Sequence, residues 1–119
     1  MPFRSKTTLT AWLQEFEELG YAIPGSIYVA SQDGDEGANT GLVRVRMSNA
    51  STETYIQPEV QGAVRWVATF ERREEELSLT AAQAQVLAQE LSIISALCAF
   101  LQAKSASLTA AVLDEGDPA

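Results

Sequence analysis

Apolar positions along this chain change period twice. From Leu9 to Leu19 they recur at helical spacing, as Leu9, Trp12, Leu13, Phe16 and Leu19, with Gln14, Glu15, Glu17 and Glu18 off the stripe. Thr7 or Thr8 can cap this helix, and Gly20 is placed to end it. After Pro24-Gly25 the period drops to two. Ile27 and Val29 oppose Tyr28 in a strand over 26–30, and Val43, Val45 and Met47 oppose Arg44 and Arg46 in a strand over 42–47. A third strand is expected from about Thr52 to Gln57, ended by Pro58. In Gly62 to Arg72 both alternating sets hold apolar residues, which predicts a long strand lying centrally and buried on much of both faces. Gln32–Thr40 reads as an exposed loop and Glu71–Glu76 as a solvated strand end or loop.

The period returns to helical at Thr80, with Gln83 three residues later as in a capping box. From there to Lys104 the apolar residues run most of the way round the helix. Leu87, Ile94 and Leu101 form one line, Val86, Ile93 and Phe100 a second, and Leu91 and Cys98 a third. Such a helix has more apolar surface than one small sheet covers. The candidate interface is therefore Val86, Leu87, Leu91, Ile93, Ile94, Leu97, Phe100 and Leu101. Serines interrupt the pattern after Lys104. Leu108–Leu113 can add one or two turns, and Asp114–Ala119 reads as an acidic, frayed tail.

The expected architecture is α+β: an antiparallel sheet of three to four strands flanked by an N-terminal helix and a long C-terminal helix, a two-layer sandwich. Residues 1–113 form a single domain and 114–119 a flexible tail. The last helix is not read as a membrane span, because Gln89 and Glu90 sit inside it and its longest uncharged run is about a dozen residues.

Charge and chemistry narrow the function more than they define it. Sixteen acids against eight bases give a net charge of −8, which disfavours nucleic acid and anionic membrane as partners. Two lysines against six arginines, with abundant alanine, suggest a high-GC source, actinobacterial or phage. There is no histidine, so the commonest general base and metal ligand is missing, and with it Ser-His or Cys-His chemistry. The one cysteine, Cys98, lies mid-helix and reads as a buried structural thiol. No apolar signal segment opens the chain, so a reducing, cytoplasmic setting is expected.

The acidic run Asp33 to Asn39 resembles the start of a calcium loop. Arg44 stands where a bidentate glutamate is needed, so no metal is expected. Asn49-Ala50-Ser51 matches a glycosylation acceptor only in the spelling. Tyr28, Arg44, Arg46, Tyr55 and Arg65 can share the sheet face away from the helices. There they form either a partner or anionic-ligand face, or arginines tied to Glu53 and Glu71 across strands. No cofactor is expected. Three functions follow. The first is a non-enzymatic interaction module that homodimerises or docks through the last helix. The second is a phage or mobile-element inhibitor that mimics nucleic acid against a basic partner. The third is a small anionic-ligand binder on the arginine face.

Overall fold

The computed structural model describes residues 5–21, 26–31, 41–49, 52–61, 63–72 and 76–116. The order is α1 (Lys6–Glu18), β1 (Ser26–Ser31), β2 (Gly41–Arg46), β3 (Thr54–Gln61), β4 (Ala63–Phe70) and α2 (Ala81–Gly116). The strands form one antiparallel sheet in the order β1-β2-β3-β4, each paired with its sequence neighbour. Both helices lie on one face, α1 against β1 and β2 and α2 chiefly against β4, which makes the expected two-layer α+β sandwich.

Local chemistry accounts for the element ends. Ser5, rather than Thr7 or Thr8, caps α1, its Oγ accepting the Thr8 N–H at 3.1 Å. Gly20 closes α1 at a φ of +96°, where a side chain would be strained. Thr80 and Gln83 form the reciprocal capping box: Oγ1 of Thr80 accepts the Gln83 N–H, and Oε1 of Gln83 accepts the Thr80 N–H.

Three expectations are corrected. β4 is an edge strand, not a central one. Its Val64-Trp66-Ala68 set meets the helices, whereas Arg65, Val67 and Thr69 lie on the uncovered sheet face and are at least partly exposed. Pro58 does not end β3, which runs on to Gln61. The N–H of Glu71 donates to the carbonyl of Glu53, which fixes 53 and 71 as a hydrogen-bonded pair. By alternation the nitrogen of Pro58 faces away from β4, and the pairing with β2 stops at Ile56, so no ladder bond is lost there. Finally, α2 passes through Ser105 and Ser107 and includes 114–116, so the tail expected from Asp114 is helical to Gly116. Residues 117–119 and the loop 32–40, with its calcium-like run Asp33 to Asn39, lie outside the described residues, as do Ala50 and Ser51 of the glycosylation match.

The core joins Leu9, Trp12 and Phe16 of α1, Val43, Val45, Ile56 and Trp66 of the sheet, Met47 just past β2, and Ile94, Leu97 and Leu101 of α2. Trp66 Nε1–H donates at 2.8 Å to Ser105 Oγ, which itself donates at 2.7 Å to the Leu101 carbonyl.

Candidate interaction surface

The long helix sorts its residues by face. Glu90, Ile94, Leu97, Leu101 and Ser105 form its buried line. Of the candidate interface residues, Ile94, Leu97 and Leu101 therefore belong to the chain's own core. The flank toward α1 holds Phe100, whose ring lies 5.5 Å from that of Phe16, and Lys104, which pairs with Glu15 at 2.9 Å. Val86 and Ile93 share that flank by helical spacing and are half-buried. The opposite flank holds Leu87 and Cys98, half-buried, and Leu91, 42% exposed. The remaining outer face includes Ala88, Ser92, Ser95, Ala99, Gln102 and Ala106, all exposed. The apolar excess in the sequence is thus concentrated on one flank, with small residues outside it.

That flank opens onto a groove of about 430 Å³ at the C-terminal end of β4. Met47, Phe70, Leu77, Leu87 and Leu91 line it, with Thr52 and Glu71 at its rim. Phe70 is 46% and Leu77 36% exposed, so three large apolar side chains meet solvent together. Sequence periodicity places Leu87 and Leu91 here. It misses Phe70 and Leu77, one read as a buried strand residue and the other not singled out, because their meeting depends on where α2 crosses the sheet.

The arginine face is only partly assembled. Cross-strand register sets Tyr28, Arg44, Tyr55 and Thr69 in one row across all four strands. Arg44 bonds Glu53 at 3.3 Å, and Arg65 bonds Glu59, its direct cross-strand partner, at 2.7 Å. Arg65 stands four residues along β4 from Thr69, about 13 Å at the strand rise. It therefore does not converge with Arg44. Arg46 is exposed and makes no ion pair among the described residues. A basin of about 860 Å³ adjoins Tyr28, Arg44, Arg46, Ser48 and Leu77, sharing Leu77 with the apolar groove. The face is thus largely the cross-strand, salt-bridged arrangement, with Glu59 rather than Glu71 as the second acid. Three convergent guanidinium groups, as an anion site needs, are not present.

Two further groups on α2 carry chemistry of their own. Glu90 is buried, and its Oε2 accepts the N–H and hydroxyl of Ser48, at 2.9 and 3.2 Å, tying α2 to the end of β2. Its Oε1 is buried without a hydrogen-bond partner among the described residues. The sequence marks Glu90 as a polar break in the helix and gives no sign that Ser48, 42 residues away, would hold it. Burial pushes the Cys98 thiol above its ordinary pKa, so the neutral thiol predominates. Among the described residues no group of three or more acids or cysteines has metal-binding geometry.

By length and composition, Ala81–Leu108 could cross a bilayer, an 18-residue window within it reaching a mean hydropathy of 1.6. In the folded chain it packs on β4 and α1, with Glu90 and Ser105 in its buried line. No family model matches the chain, and no curated protein or solved structure matches it either.

Proposed function

We propose that this chain is a small, acidic, non-enzymatic protein-interaction module of a reducing compartment. It docks through the α2 flank and the groove beside it. The observation that carries this reading is the grouping of Phe70, Leu77 and Leu91, partly exposed around one apolar groove. Such clustering is selected against on a surface that meets only water. Burying one large apolar side chain contributes about 1.5–3 kcal/mol, so three half-covered ones offer a few kcal/mol of docking energy. Relative to the sequence expectation, the interface moves from the middle of α2 to Leu87 and Leu91 with Phe70 and Leu77. The mimicry alternative loses support because the described acids are dispersed over α1, β3, the end of β4 and α2. The ligand alternative loses support from the separated arginines.

The test is Leu91→Glu, a change at an exposed position, followed by two measurements: binding of an apolar fluorescent dye to the folded chain, and mass by sedimentation. If the groove docks a partner, the free chain either binds dye there or hides the groove in a self-assembly. The substitution must then lower dye binding or reduce the mass. A folded variant identical to wild type in both measurements would overturn the proposal.

A further inference from the structure

We infer that the partner is a basic, amphipathic segment of another protein. Its large apolar side chains fill the groove of Phe70, Leu77 and Leu91, and its lysines or arginines meet the acids beside that groove. The inference rests on the interaction-module reading and adds the chemistry of the partner.

The first observation is the sign of charge at the groove. Glu71 lines it, and Glu76, exposed, directly precedes the lining residue Leu77. Arg72 follows Glu71 but is not among the lining residues. Arg46 borders the neighbouring basin instead, and Arg44 there is tied to Glu53. Among the described residues, then, the lining carries one charge, and it is negative. The α2 wall brings no base to offset it. From Leu77 to Leu113 the only charged residues are Glu90 and Lys104, and Lys104 is turned to Glu15.

The second observation is a carboxylate behind the groove. Glu90 precedes Leu91 and is bonded to Ser48, which follows Met47. Leu91 and Met47 both line the groove. Glu90 is 4% exposed and makes no ion pair among the described residues. A buried carboxylate is screened less than one in water, so it favours a cation over the groove and disfavours an anion.

The whole chain points the same way. A net charge of −8 draws a basic segment in and repels a second copy. The segment Glu71 to Glu76, Glu-Arg-Arg-Glu-Glu-Glu, is itself net negative. The groove's volume of about 430 Å³ and its exposed Phe70, Leu77 and Leu91 ask for apolar anchors. Lysine and arginine supply the rest, since their apolar stems cover the rim while their heads reach the carboxylates. A helix with apolar residues on one face and basic residues beside them presents both together.

The probe is a fluorescein-labelled peptide of about five helical turns, leucine on one face and lysine on the other. It is titrated into the full chain and followed by anisotropy, with the dye and sedimentation measurements above made alongside. The peptide should bind, displace the dye, and bind less tightly as salt rises from about 10 to about 150 mM. The same peptide with glutamate for lysine should not bind. Glu71→Gln with Glu76→Gln should weaken binding several-fold, up to about fivefold per acid. Glu15→Gln with Glu59→Gln makes the same change in net charge far from the groove and should cost clearly less. Equal losses from the two pairs would mean attraction to net charge alone and would overturn the inference. A chain that binds the dye at Leu91 but not the lysine peptide would overturn the basic partner and leave the docking reading standing. So would a two-chain mass that Leu91→Glu reduces, because the partner would then be a second copy. Loss of neither dye binding nor mass in Leu91→Glu would overturn both.

Discussion

At Ser105 one hydroxyl serves two neighbours, accepting from the Trp66 indole and donating to the Leu101 carbonyl. Ser105→Ala removes the acceptor given to the indole, and the expected cost is about 1–2 kcal/mol, read as a lower denaturant midpoint at unchanged slope. From sequence, a serine after a run of alanine and leucine looks like the end of a helix. Periodicity cannot reveal that its partner stands 39 residues earlier on a strand. Glu90 is the converse case, a carboxylate in the buried line with one oxygen bonded and the other without a partner among the described residues. Glu90→Leu is expected to leave stability unchanged or raise it by about 1 kcal/mol, since a poorly paired buried charge is costly. A clear fall in melting temperature would show instead that the Ser48 tie outweighs that cost. For Cys98, the raised pKa makes the folded thiol a poor nucleophile. Alkylation at mildly alkaline pH should be slower in the native than in the denatured chain. The sign of the linkage agrees: above the ordinary thiol pKa the unfolded chain ionises first, so this group's contribution to stability is lost as pH rises.

At the scale of elements, α2 separates two substitutions three residues apart. Ile94 is 4% exposed and Leu91 is 42% exposed. Ile94→Glu is expected to abolish the cooperative unfolding transition, because it buries an unpaired charge. Leu91→Glu is expected to keep that transition within about 0.5 kcal/mol of wild type. Circular dichroism melts of the two variants check both. The alternating strands, the reciprocal cap at Thr80 and the stripe on α1 were legible because each is written in adjacent residues. The rank of β4 in the sheet was not. Val67 among Arg65 and Thr69 looks like a second buried face, yet one valine on an open sheet needs no cover. The candidate site was half legible for the same reason. Leu87 and Leu91 follow from helical spacing, but their meeting with Phe70 and Leu77 is a property of how α2 crosses the sheet.

For the whole molecule, the net charge opposes any self-association through the apolar groove. Two bodies of charge −8 at about 30 Å repel by roughly 9 kcal/mol in unscreened water. The balance therefore depends on ionic strength. Raising salt from about 10 mM to 150 mM shortens the screening length from about 30 to about 8 Å, so it should tighten self-association. Sedimentation equilibrium at the two salt levels measures the change, and weakening with salt would contradict this balance.

The glutamates of α1 have a consequence for growth. Among the described strands neither β1 nor β4 has an outer neighbour, and a sheet of that kind can in principle add copies head to tail, which yields a filament. Glu17 and Glu18, exposed on the helix that packs on β1, act as gatekeepers against that route. Neutralising Glu17 and Glu18 to glutamine should spare the fold and open that route, seen as turbidity or thioflavin signal where wild type stays clear.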